Sequence, residues 1–120
     1  MKIRLKRAYE PPEKNDGLRL LVERLWPRGL TKEKAGIDEW FKDVAPSQEL
    51  RKWYGHDLKR WADFRRRYLD ELGRNPEAVA RLRKRMKEGP VTFVFAAKDE
   101  EHNSARLLKD FLEGKAWPLP

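Results

Sequence analysis

The sequence predicts a small α/β domain, with a mixed or largely parallel sheet and helices on both faces. Three observations carry this expectation. Residues 90–97, PVTFVFAA, form a nearly continuous apolar run rich in β-branched and aromatic side chains, the profile of a central strand buried on both faces. Residues 2–9 alternate, with Ile3, Leu5, Arg7 and Tyr9 on one side and charged residues mainly on the other, as an edge or half-buried strand does. Trp61, Phe64, Tyr68 and Leu72 recur at three- and four-residue steps, which lines one face of a helix. At 120 residues the chain has the usual size of one domain, so residues 1–120 are expected to share a core.

The elements follow in order. Glu10 to Gly17 (EPPEKNDG) joins two prolines to Asn-Asp-Gly, which is loop chemistry. Leu18 to Leu25 reads as a second strand, and its link to the first is too short for a parallel crossover, so the two strands, if adjacent, should be antiparallel. Trp26-Pro27-Arg28-Gly29 ends that strand, and Thr31 can cap a short helical turn. Ile37, Trp40, Phe41 and Val44 follow helical spacing and predict a short helix over 37–44. Ser47 is a good N-cap for a helix carrying Leu50 and Trp53, which Gly55 is placed to stop. The long helix over 58–72 meets Gly73, and Asn75-Pro76 opens another with Val79, Leu82 and Met86 inward and Gly89 at its end. The last helix is expected over 100–113 with Ala105, Leu108, Phe111 and Leu112 inward, followed by a tail that Trp117 pins.

Composition narrows the chemistry. The chain has no cysteine, which removes disulfides, thiolate nucleophiles and cysteine-based zinc sites. Two distant histidines give no metal spacing, so neither a metal nor a cofactor is expected. No stretch approaches the roughly 20 apolar residues of a membrane span, and the charged N-terminal residues do not read as a secretory signal, which places the protein in the cytoplasm. The formal charge is +8, from 28 Lys and Arg against 20 Asp and Glu. That surplus suits an anionic partner, and the same Lys, Arg and Glu usage suits a solvated, heat-adapted surface. Much of it falls in residues 58–88, where the run Arg81 to Lys87 lies on a helix.

Ligands of open α/β sheets bind beyond the carboxyl ends of the strands. Two such junctions are rich in donors: Glu23 to Gly29, and Ala97 to Asn103. If both strand ends point the same way, Arg24, Trp26, Arg28, Lys98, His102 and Asn103 converge on a pocket suited to an anionic or planar ligand. Asp99 and His102 are the candidates for acid–base chemistry there, although Asp99 most simply caps the last helix. Arg24, beside Leu25 and Trp26, needs a carboxylate or a ligand as partner. His56 reads as a turn residue and Ser47 as a cap, not a nucleophile.

The stretches ERLWPRG, APSQELRKWYGH, WADFRRRYLDEL and AAKDEEHNSA together resemble the YeaO-like family of small bacterial and archaeal proteins. The resemblance spans nearly the whole chain; it implies an α/β domain and brings no assigned activity. Longer relatives carry a Cys-His-Arg triplet near the start of the last helix where this chain has Glu101-His102-Asn103, so thiol chemistry does not carry over. Glu23 stands where short relatives often have Asp, which keeps a carboxylate at that position.

Three classes of function follow, with catalysis left open in the first. One is a pocket for a small anionic ligand, phosphorylated ones included, built from Arg24, Trp26, Arg28, His102 and Asn103. Another is a nucleic-acid-binding accessory protein using the surface of residues 65–87, which needs only cations at suitable spacing. A non-catalytic interaction domain is the third reading.

Overall fold

The computed structural model describes residues 3–114. Trp117, expected to pin the tail, lies outside them. Four strands, β1 (Ile3–Arg7), β2 (Leu18–Leu21), β3 (Glu39–Trp40) and β4 (Val91–Phe95), form one sheet in the order β1-β4-β2-β3, with every neighbouring pair parallel. β4 is central, as its apolar run requires: Ile3 aligns with Val91 on one side and Leu18 with Val91 on the other. The first two strands are therefore parallel and never adjacent, because β4 separates them. The condition attached to an antiparallel pairing is not met.

Period-2 alternation sorts the strand residues between the two faces. Ile3, Leu20, Val22, Val91, Phe93 and Phe95 join the larger core with residues of α2 (Gln48–Tyr54), α3 (Trp61–Gly73), α4 (Pro76–Glu88) and α5 (Ser104–Leu112). Ala8, Leu21 and Val94 join a smaller cluster with Ala35 of the one-turn helix α1 (Lys32–Ala35), Ile37, Trp26 and Leu30. Coverage of the two faces is thus unequal. Tyr68 of α3 is buried and its hydroxyl donates to the carbonyl of Val44 at 2.6 Å. Tyr68→Phe would leave that carbonyl without its donor and is expected to cost about 1–2 kcal/mol, read by urea denaturation.

Local signals decide most of the boundaries. Thr31 accepts from the N–H of Lys34, Ser47 accepts from that of Leu50, and Gly55 closes α2 at φ +53°. Three expectations are corrected. Residues 37–44 form no α-helix: Asp38 donates to the carbonyl of Arg19 and Phe41 to that of Leu21, which draws Glu39–Trp40 onto β2, and a 3-10 turn over Lys42–Val44 follows. Apolar spacing there serves both faces, since Ile37 joins the smaller cluster while Phe41 and Val44 join the larger. Asn75 makes no side-chain cap; its amide N–H donates instead to the carbonyl of Asp43 at 2.9 Å. Asn103, rather than Asp99, caps the last helix, accepting from the N–H of Arg106 at 2.9 Å.

The charged side of β1 and β2 is not solvated throughout. Lys6, Asp16 and Arg19 are buried on the smaller-cluster face. Lys6 Nζ donates to both oxygens of Asp16, at 3.2 and 3.1 Å, and to Glu13 at 2.8 Å. Arg19 donates to Asp16 at 2.8 Å and to the carbonyl of Ala35 at 2.9 and 3.1 Å. Thr92 of β4 closes the network by donating to the Asp16 carbonyl at 2.8 Å. The interior charges are paired and bonded, the condition under which burial is tolerated.

Candidate functional site

A parallel sheet brings all its carboxyl ends to one edge, and beyond that edge lies a cleft of about 320 Å³. Glu23 follows β2 and Ala96 and Ala97 follow β4. Trp26 and Arg28 come from the loop after β2, Arg51 and Tyr54 from α2, Trp61 and Phe64 from α3, and His102 and Asn103 from the approach to α5. Each residue reaches the cleft because its element ends there. The helices supply a wall of rings: Tyr54 stacks on Phe64 with centroids 4.4 Å apart, Trp61 stacks on Phe64 at 5.6 Å, and His102 meets Trp61 edge-on at 5.1 Å. Trp26 is fixed by its indole N–H, which donates to the Leu30 carbonyl at 2.7 Å, and by edge contact with Trp40.

The two strand-end junctions do converge, but not every expected side chain enters. Trp26, Arg28, His102 and Asn103 line the cleft. Arg24 turns away, donating to the carbonyls of Pro46 at 2.8 Å and Ala45 at 3.3 Å, so backbone carbonyls supply the partner that this arginine needed. Lys98 is exposed and is not among the lining residues. Asn103 is buried with both amide atoms engaged, one capping α5 and the other donating to the Asp99 carbonyl at 3.0 Å. Asp99 accepts from the backbone N–H groups of His102 and Glu101, which hold its carboxyl below the ordinary value, and its second oxygen lies 3.0 Å from His102 Nδ1. That contact orients the imidazole against Trp61.

Sequence reasoning named neither Arg51 nor Tyr54 and left Glu23 and His56 outside the expected ligand-binding set, yet all four line the cleft. Glu23 is half-buried, and burial raises its carboxyl above the ordinary value although the Ala96 N–H and the charge of Arg51 oppose this. Burial also raises the Tyr54 hydroxyl, with the negative charges of Asp99 and Asp57 adding to the effect. Arg51 completes the cationic part of the cleft; the only sequence signal for it was its place one turn before the Gly55 stop. His56, read as a turn residue, lines the cleft in the left-handed region at φ +58°, alone in this among the described non-glycine residues. Backbone held there by a non-glycine residue is concentrated at functional sites.

The basic helices differ electrostatically from the cleft. Arg66, Arg74 and Arg81 pair with Asp63, Asp70 and Asp43, and Arg85 pairs with Glu39 and Glu88. Arg67 lies over the Trp53 ring at 4.2 Å. Arg28 and Arg51, by contrast, form no salt bridge with the described residues. Among the described residues no group of three or more His, Asp or Glu is placed to hold a metal, and no helix is long and apolar enough to cross a membrane.

Comparison with known proteins adds relatives. A family model described as the inactive DUF488-N3 subclade matches residues 2–117. The uncharacterized protein YeaO of Escherichia coli (strain K12) is 43% identical over 112 residues, covering 93% of this chain and 97% of the relative. The uncharacterized protein Rv3073c of Mycobacterium tuberculosis (strain ATCC 25618 / H37Rv) is 40% identical over 114 residues, covering 95% and 96%. No solved structure gives a significant match.

Proposed function

Since this chain belongs to the YeaO-like family, within the inactive DUF488-N3 subclade, we propose that the cleft binds a small anionic ligand with a planar body rather than turning it over. The observation that carries the proposal is a pair of arginines, Arg28 and Arg51, that form no salt bridge with the described residues, in a cleft walled by Trp26 and Trp61 at the carboxyl ends of the strands. Guanidinium groups bind phosphate or carboxylate through paired N–H bonds, and the indoles provide flat apolar surface. The cleft volume, about 320 Å³, falls at the small end of the range for ligand pockets. A single metabolite suits it better than a polymer.

The family description, inactive, supports a binding role. The engagement of Asp99 with two backbone N–H groups also makes it a turn-forming residue first. The reading of residues 65–87 as a nucleic-acid surface draws less support, because carboxylates within the chain already pair with Arg66, Arg74, Arg81 and Arg85.

The test is a thermal-shift and calorimetric titration with inorganic phosphate, ribose 5-phosphate and nucleoside monophosphates at low and high salt. Binding to the folded state should raise the midpoint by mass action. Arg28→Ala and Arg51→Ala should each weaken binding by about tenfold or more, as loss of a charge-assisted hydrogen bond does. Unchanged affinity in both variants and in His102→Ala would overturn the proposal. Binding of a DNA oligomer that is lost at high salt while the small ligands fail would favour the basic helices instead.

A further inference from the structure

We infer that Glu23 is the residue by which the cleft selects its ligand, and that the ligand is a nucleoside monophosphate whose base presents adjacent N–H donors, as guanine does. This rests on the anion-binding reading of the cleft. Hydrogen-bonding capacity at Glu23 is out of balance. An ionised carboxylate is acceptor-only, with room for about four hydrogen bonds over two oxygens. Half-buried Glu23 lines the cleft together with Trp26, Tyr54, Phe64 and Ala97, and the described residues direct only the Ala96 N–H at its carboxyl. No side-chain hydrogen bond or close salt bridge to a described residue satisfies the rest, the nearby charge of Arg51 being felt only at longer range.

A half-buried carboxylate with one protein donor keeps acceptor capacity open toward the cleft, where a ligand's N–H groups can take it up. The raised carboxyl is the electrostatic sign of its burial. A ligand that also carries an anion for Arg28 and Arg51 and a flat ring for the indoles has three functions in one small molecule. A nucleotide has all three, and aromatic side chains stack bases favourably.

The donor pattern then discriminates among bases. Guanine presents N1–H and its 2-amino group side by side, matching two carboxylate oxygens. Adenine sets an acceptor beside its amino group, and that acceptor opposes a carboxylate. A glutamine offers one donor and one acceptor, which is adenine's complement. Glu23→Gln should therefore change which base is preferred while leaving the shape of the cleft intact.

The experiment is calorimetric titration of the full chain with GMP, IMP, AMP and ribose 5-phosphate, in wild type and in Glu23→Gln. Wild type should bind GMP at least about tenfold more tightly than AMP, the size expected for a charge-assisted hydrogen bond, with IMP between them. Glu23→Gln should erase or reverse the preference, keep its affinity for ribose 5-phosphate, and melt no lower than wild type at neutral pH because a half-buried charge has gone. Equal binding of GMP and AMP by wild type, or an unchanged preference in Glu23→Gln, would overturn the inference. Ribose 5-phosphate binding as tightly as GMP would overturn it as well while leaving the anion site standing, and failure of all four ligands would remove both readings. Loss of ribose 5-phosphate binding in Glu23→Gln would also count against a role in base selection, because the variant would then act on the anion site.

Discussion

Asp16→Ala is expected to lower the free energy of unfolding by about 3–5 kcal/mol at neutral pH, read as a shift of the urea midpoint, because it removes one partner from a buried charge group. Lys6 and Arg19 would remain inside the fold, with Glu13 as the one carboxylate left near the ammonium among the described residues. The pH dependence tests the cause. Burial alone would raise the Asp16 carboxyl, but the Glu13 N–H, Arg19 and Lys6 outweigh it and hold the group below its ordinary value. An acid held low in the folded state stabilises above the ordinary carboxylate range and loses that contribution as pH falls through the folded value. Wild type and variant should therefore differ most at neutral pH and converge in strong acid.

Lys6 carries the opposite sign. Burial would lower its ammonium, yet Glu13 and Asp16 hold it above the ordinary value, so its contribution is complete below the unfolded value and disappears as pH rises through the folded one. The network should lose strength at both extremes of pH, and equal pH profiles for wild type and Asp16→Ala would contradict that account.

Gly17→Ala, one residue on, should be as damaging for a different reason. Gly17 sits at φ +64°, and a Cβ there would fall 2.1 Å from the Pro90 carbonyl oxygen and 2.7 Å from its carbon. Those atoms are backbone, and the same oxygen accepts from the N–H of Leu18 at 3.0 Å, the bond that starts the pairing of β2 with β4. Relief would have to break that bond or shift a central strand, and the positive φ with an extended ψ adds roughly 1–3 kcal/mol for an L side chain. A total of about 4 kcal/mol or more places this among the rare severe substitutions. Amide hydrogen exchange would locate it: protection should fall first at Leu18 and along β2, whereas a uniform loss would point elsewhere.

Much of the fold is legible where one residue has one job. Ser47 and Thr31 announce helix starts because their hydroxyls cap, and the apolar run of β4 announces its place because a strand covered on both sides has no polar face to show. Legibility fails where a local pattern serves two surfaces. The 37–44 spacing looks helical only if all four apolar residues face one way, and here Ile37 serves one face of the sheet, Phe41 and Val44 the other, and Trp40 is exposed. It fails again at Lys6, since a charged residue in an alternating strand reads as solvent-facing until the 10–17 loop brings Asp16 onto it. Of the candidate site, the two junctions were readable from strand ends and Arg28, Trp26 and His102 from their chemistry. Arg51, Tyr54 and the buried aspect of Glu23 were not, because only the packing of α2 and α3 against the sheet edge brings them together.

The central position of β4 also sets a timetable. Its residues leave the ribosome long after β1 and β2, which have no strand between them until it arrives. A nascent chain shorter than about 95 residues therefore holds two apolar strands whose inner edges are open, and the sheet closes in a late step dominated by long-range pairing. Arrest near that length should leave a protease-sensitive, self-associating intermediate, while a chain released past residue 95 can form the ladder that shields both edges at once.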